Sequence, residues 1–270
     1  MTILRRFHDI QGWELGARDG NIGRCHDLLF EDTDWAARYL VADTRKWLPG
    51  RKVLIPPRAV ESLEESSGPV LLSAGTMVLS LTKEQIKNAP PLDSDAPVSR
   101  RYETAFNRYY DWPNYWAAPS IRDPQLYPTL LHRPEELTRR SDVQYRFSDR
   151  RPEEETHLRS AREVASYRCL AGGQNIGDVD DFLVEEESWI IRYLIVDARK
   201  YLPEGRWLLI STDWVAMIDW ADSSIAVTLT TDQLAKGPRF DPDMELDRHY
   251  ERAIHEFYGL PYYWRNGEKR

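Results

Sequence analysis

The chain says nearly everything twice. Residues 35–49 read WAARYLVADTRKWLP and residues 189–203 read WIIRYLIVDARKYLP, a constant offset of 154. LTKEQIKNAP (81–90) pairs with LTTDQLAKGP (229–238) at offset 148. At that same offset Tyr102, Glu103, Pro113, Tyr115 and Trp116 pair with Tyr250, Glu251, Pro261, Tyr263 and Trp264. Three blocks in one order make two copies of a single fold unit, each of about 100 residues. A chemical site is therefore expected in both copies, or explained in one.

The 270 residues suit two ordinary domains. The net charge of −8 argues against a nucleic-acid binder, which needs a clustered basic face. Cys25 and Cys169 are not equivalent under the repeat, are too few for a disulfide framework and show no metal spacing. They read as two free thiols of a reducing compartment. No apolar run approaches the roughly 18–20 residues that span a bilayer, and MTILRRFHDI lacks the apolar stretch of a secretory signal. The expectation is a cytoplasmic protein with no transmembrane segment, any membrane contact being peripheral and through a partner.

Each copy opens on a glycine turn, DGNIG (19–23) or GGQNIG (172–177), whose Gly and Asn tolerate positive φ. A strand leads to an acidic tip, EDTD (31–34) or EEES (185–188), which reads as solvated turn residues. The strongest strand follows, rich in β-branched and aromatic residues, and the RKxLP turn leads to further short strands. With no helices between them, these strands predict antiparallel pairing, closed into a small barrel or stacked as a sandwich. Thr82-x-x-Gln85 and Thr230-x-x-Gln233 predict capping boxes on a short helix. A second helix should pack through Tyr102, Phe106 and Tyr109, or through Tyr250, Ile254 and Phe257. Residues 117–163, with five prolines and nine arginines against nine acids, find no counterpart and read as an extended linker. The domains are accordingly 1–116, a linker 117–163, and 164–270.

No residue set calls for catalysis, a cofactor or a metal. The six histidines include no i, i+4 pair and no HExxH pattern. The acidic tips lack the alternating order of a calcium loop. DGNIGR is a lone glycine turn and no phosphate loop exists. Two repeated polar sets are the interaction candidates. Arg38, Asp43, Arg45, Lys46 and Trp47 match Arg192, Asp197, Arg199, Lys200 and Tyr201. Either the basic pair reaches an acidic partner, or the aspartates accept hydrogen bonds from the turn. The aromatic tails, Trp112, Tyr115 and Trp116 with Tyr262, Tyr263 and Trp264, suit half-wet interfaces. They close their own repeat or contact another copy or subunit.

The blocks NIGRCHDLLFED…WAARYLVADTRKWLPGRKVLIPP and NIGDVDDFLVEE…WIIRYLIVDARKYLPEGRWLLIS, with their helix and aromatic endings, resemble the PRC-barrel family over roughly four-fifths of the chain. That family includes the cytoplasmic part of the H subunit of photosynthetic reaction centres and the C-terminal half of a ribosome-maturation factor. The resemblance implies a mainly β fold of two small, bent antiparallel barrels, each followed by short helices. It implies a bacterial protein that acts through contacts with a protein partner or itself, as a possible homo-oligomer, and not by catalysis. Function is thus expected to be that of a non-enzymatic adaptor or assembly module. Two alternatives stand beside it. One is a ligand-binding or catalytic site between the repeats, drawing on His26, Asp27, His249 and His255. The other is association with ribosome or RNA.

Overall fold

A computed structural model describes residues 3–44, 47–65, 75–93, 97–116, 157–202, 205–244 and 246–264. The chain is mainly β and forms two seven-stranded sheets. The described residues divide into two compact units. The first draws on His8–Ser160 and Glu186–Ile190; the second draws on the N-terminal residues through Phe7, Ala161–Glu185 and the residues from Ile191 onward.

In the first unit the strands are β2 (Glu14–Ala17), β3 (Gly20–Glu31), β4 (Ala37–Asp43), β5 (Val53–Ile55), β6 (Val60–Glu64) and β7 (Thr76–Leu79). They run in the order β5-β4-β3-β2-β7-β6, and β8 (Leu158–Ser160) joins them on β3. The second unit repeats the plan with β9 (Arg168–Ala171), β10 (Gln174–Glu185), β11 (Ile191–Asp197), β12 (Trp207–Ser211), β13 (Val215–Asp219) and β14 (Ser224–Val227). Its order is β12-β11-β10-β9-β14-β13, with β1 (Leu4–Arg6) on β10. Pairing is antiparallel with one correction in each sheet: β2 and β7 run parallel, as do β9 and β14. Among the described residues no pairing joins β5 to β6 or β12 to β13.

Bending is built into the long strands. β3 and β10 each span 12 residues and pair with different neighbours along their length. The register slips between Cys25 and Asp27 in one and between Val179 and Asp181 in the other. Such bulges increase local twist and let a strand turn out of the plane of its sheet. The carboxylates help stabilise them, since Asp27 and Asp181 accept from the backbone N–H of Leu28 and Phe182 at 2.7 Å.

The glycine turns have a steric reason beyond the hairpin. Gly23 and Gly177 have φ of +135° and +155°, and each passes against the carbonyl of the aspartate that ends the next strand. A Cβ on Gly177 would lie 2.6 Å from the Asp197 carbonyl oxygen. The preceding asparagines tie the turns, accepting from Gly23 N–H at 2.7 Å and Gly177 N–H at 3.0 Å.

Short helices follow each sheet: α2 (Lys83–Asn88) and α3 (Arg100–Tyr109) in the first unit, α5 (Thr231–Lys236) and α6 (Arg248–Tyr258) in the second. Both capping boxes form. A four-residue helix follows each first strand, α1 (Phe7–Ile10) after β1 and α4 (Ala161–Val164) after β8. Residues 158–163 are thus strand and helix, not linker, and they match residues 4–9 at the offset of 154. The remaining linker residues, 117–156, lie outside the described residues.

Packing of α3 and α6 keeps Phe106 and Ile254 of the expected face in the core, with Tyr102 against it, and corrects that face at its last position. Glu103, Phe106 and Asn107 are buried, as are Glu251, Ile254 and His255. Tyr109 and Phe257 are instead 40% and 50% exposed. Phe106 joins Tyr39, Leu54, Ala89, Leu92 and Val98 in the core of the first unit. Burial of an aromatic side chain of this kind contributes about 1.5–3 kcal/mol. The helix turns this way because its glutamate has buried hydroxyl partners to reach.

Gly177→Ala is expected to destabilise the protein by about 3 kcal/mol, because strained backbone and a backbone clash act together. Thermal melts read the change, and a loss smaller than an ordinary surface substitution would count against this close approach.

Candidate functional site

A buried carboxylate organises the same polar cluster in each unit. Glu103, fully buried on α3, receives hydrogen bonds from the hydroxyls of Tyr39 on β4 and Tyr115 in the aromatic tail, both at 3.1 Å. Glu251 on α6 receives the equivalent bonds from Tyr193 on β11 at 3.1 Å and Tyr263 at 2.6 Å. A buried carboxylate without donors is costly, so helix, strand and tail are held together by one group.

Arginines close the cluster from the strand side. Arg38 lies 2.6 Å from Glu31 and 2.6 Å from Asp34, and its guanidinium stacks 4.0 Å from the centre of the Tyr115 ring. Arg192 bonds Glu185 through Nε at 2.9 Å and stacks over Tyr263 at 4.5 Å. A helix arginine completes each set: Arg100 reaches Glu31 at 2.8 Å and stacks over Trp116 at 4.4 Å. Arg248 reaches Glu251 at 3.0 Å and stacks over Trp264 at 4.4 Å. Seven positions are therefore kept in both copies: two glutamates, two arginines, two tyrosines and a tryptophan. Planar guanidinium groups suit this double duty, pairing with carboxylates at the edge and with rings at the face.

The electrostatics follow from burial and pairing. Burial pushes the Glu31 carboxyl up, but Arg38 and Arg100 overcome it and hold the group below its ordinary value. Glu251 goes the other way, raised by burial against the opposing pull of Tyr263 and Arg248. Burial raises the tyrosine hydroxyls of both clusters, which keeps them protonated donors. The acidic tips are turns as expected from sequence, with Glu187 exposed, but the first residue of each is not solvated: Glu31 and Glu185 are buried in ion pairs.

The two copies differ in their histidines. His157 lies just before β8, with Nε2 2.9 Å from the Tyr115 hydroxyl and 3.1 Å from Glu103. In the second unit the histidine is His255, which stands on α6 where the first repeat has Asn107. Its Nδ1 meets the Pro261 carbonyl at 2.8 Å and must carry a proton there. Its Nε2 lies 3.1 Å from the Tyr193 hydroxyl, which also faces Glu251. Burial lowers His255 and raises Glu251.

The remaining sequence candidates lie elsewhere. Arg45 and Lys46 fall outside the described residues. Asp43 is the register partner of Arg24, and Trp47 lies under Lys83 at 5.2 Å. Asp197 accepts from the backbone N–H of Arg199 at 3.1 Å and from its guanidinium at 2.8 Å, which together hold the carboxyl below its usual range. Lys200 is exposed, and Tyr201 is 41% exposed with its hydroxyl on Asp178. Trp112 stacks on Tyr110 at 4.4 Å and Tyr262 on Trp264 at 4.7 Å, so each tail packs within its own unit. His26 and His249 are exposed, Asp27 accepts from Ser160, and His255 is buried. Sequence reading missed Glu103 and Glu251 as organising groups, although their repetition beside Tyr102 and Tyr250 was the signal. It also missed Arg100 and Arg248, which match at offset 148.

An open depression of about 560 Å³ adjoins the glycine turn of the first unit, lined by Glu14, Asn21, Arg24, Asp43, Thr44 and Trp47. Its polar groups already engage one another, Asn21 donating to Glu14 at 2.9 Å and Arg24 lying 3.7 Å from Glu14. Among the described residues no cluster of His, Cys, Asp and Glu is arranged to hold a metal ion, and no helix is long and apolar enough to cross a membrane. Burial pushes both cysteine thiols up to about 12, which makes them poor nucleophiles. No family model matches the chain, and no curated protein does.

Arg192→Ala should cost about 3–5 kcal/mol, since it leaves Glu185 buried without its partner. Arg199→Ala, at an exposed pair, should leave the melting temperature where it was. Equal effects from the two would contradict the division drawn here between buried cluster and surface pair. His255 makes a prediction about pH. Its lowered value in the folded protein means that its contribution is present above the ordinary 6.5 and is lost as pH falls below that value. The stability advantage of the wild type over His255→Asn should therefore shrink from pH 7 to pH 5 in denaturant titrations, and a constant difference would rule this out.

Proposed function

We propose that the chain is a non-enzymatic scaffold of two PRC-barrel-like repeats, an adaptor or assembly module that acts through protein contacts. The observation that carries this reading is the fate of the repeated polar groups. Glu103, Glu251, Arg38 and Arg192 all bond partners within their own units, and the Glu103 oxygen left without a hydrogen bond, Oε2, is buried between His157 at 3.1 Å and Arg100 at 3.6 Å. Chemistry needs groups poised in a cleft with unmet bonding capacity, and a scaffold needs them satisfied. The long bulged strands β3 and β10 are the devices by which a small sheet curls toward a barrel, which supports the family resemblance. The surface left for a partner includes aromatic and thioether groups: Tyr109, Tyr201, Met217 and Phe257 are all exposed. Aromatic residues at such positions are the usual anchors of protein interfaces.

Crosslinking in the native host, with sequencing of the joined peptides, tests this. The wild type should join one protein species through peptides that carry Tyr201 or Phe257. Tyr201→Asp or Phe257→Asp should reduce that yield about tenfold with the melting temperature unchanged. A metabolite that raises the melting temperature by several degrees, and fails to do so with Asp43→Ala, would overturn the proposal in favour of ligand binding.

A further inference from the structure

The offset of 154 extends to the first strand of each repeat, LRR in β1 and LRS in β8, and each of these strands pairs outside its own repeat. Leu4, Arg5 and Arg6 are register partners of Glu185, Val184 and Leu183 in the second unit. Leu158, Arg159 and Ser160 are register partners of Glu31, Phe30 and Leu29 in the first. The two accepting segments are themselves equivalent at 154, so the exchange is reciprocal.

Side chains match each strand to the sheet it joins. Ser160 donates to buried Asp27 at 2.6 Å, and Arg159 lies 3.2 Å from Asp32. The counterpart of Ser160 is Arg6, whose guanidinium reaches the Pro242 carbonyl at 3.2 Å in the second unit. Phe7, which follows β1, packs on Phe182 with ring centres 6.5 Å apart. Had each repeat kept its own first strand, Arg6 would stand where Ser160 meets Asp27.

We infer that the protein is a strand-exchanged dimer written into a single chain, in which each unit is complete only with the first strand of the other repeat. Exchange of an identical element between protomers is a low-cost route to a dimer, and gene fusion of such a pair leaves this connectivity. The two repeats then fold together, and cutting the chain between them leaves them joined.

The test places one protease site between residues 130 and 131 of the full chain. After cutting, native mass spectrometry should still find one particle of about the uncut mass, 31.6 kDa, while a denaturing gel shows two fragments. Proline at Leu4 and Arg5, together with proline at Leu158 and Arg159, removes whichever N–H faces the neighbouring strand. That variant should release its fragments after cutting, with a dissociation constant weaker by about a hundredfold. Fragments that separate in the cut wild type would overturn the inference, as would a folded proline variant that holds together equally well. Should the proline variant fail to fold, Leu29→Cys with Ser160→Cys decides in its place. These residues face each other across the β3–β8 pair, so the oxidised and cut protein should run on a non-reducing denaturing gel as one linked species. Two separate fragments there would overturn the inference.

Discussion

A buried carboxylate on the last helix holds each unit together. Glu103 and Glu251 sit where an apolar residue is the ordinary choice, and the surrounding elements are placed to satisfy them. The central strand supplies one tyrosine, the aromatic tail supplies another, and the helix supplies an arginine one turn earlier. Hydrophobic burial alone would let the helix slide or rotate on the sheet, because apolar contact has no direction. Hydrogen bonds to a single buried oxygen fix rotation and register together. The cost shows in the helix: its carboxylate face turns inward and leaves Tyr109 and Phe257 in water. Two partners of the cluster, Tyr39 and Arg38 or Tyr193 and Arg192, are neighbours on one strand. A change in the twist of that strand would move both.

Much of this was legible in the sequence because it rests on local rules. The capping boxes, the Asn-x-Gly turns and the β-branched strands depend on a few consecutive residues, and two copies doubled the signal. The helix face holds at Phe106 and Tyr102 but not at Tyr109, because periodicity assumes that the whole apolar stripe faces inward. Glu103 overrides it through partners 64 positions upstream and 12 downstream, which no local window contains. The acidic tips misled for the same reason. Glu31 looks like a solvated turn until Arg38 and Arg100 are brought to it from the strand and the helix. The parallel pairs β2·β7 and β9·β14 join strands far apart in the chain, so hairpin logic does not reach them.

The shared first strands were hidden by a weaker signal. LRR and LRS are three residues each, too short for periodicity and too common for a motif. They count as equivalents only once the offset established by the longer blocks is carried outward to the ends of each repeat. Sequence similarity also says nothing about which sheet a strand enters, since either repeat offers the same edge. Side-chain detail differs at the two edges: Ser160 meets Asp27 in one unit, and Arg6 reaches Pro242 and Asp243 in the other.

Duplication made the copies equal, and the histidines mark where they parted. Each unit brings an imidazole to its buried tyrosine–glutamate pair, but from unrelated positions, His157 beside β8 and His255 on α6. The geometry of approach differs accordingly. His157 points one nitrogen at both Tyr115 and Glu103. His255 has Nδ1 committed to a backbone carbonyl and faces Glu251 only across Tyr193. The same cluster thus receives its histidine in two different geometries. The cluster accommodates both because seven shared positions hold its geometry, while the histidine arrives from a different position in each copy.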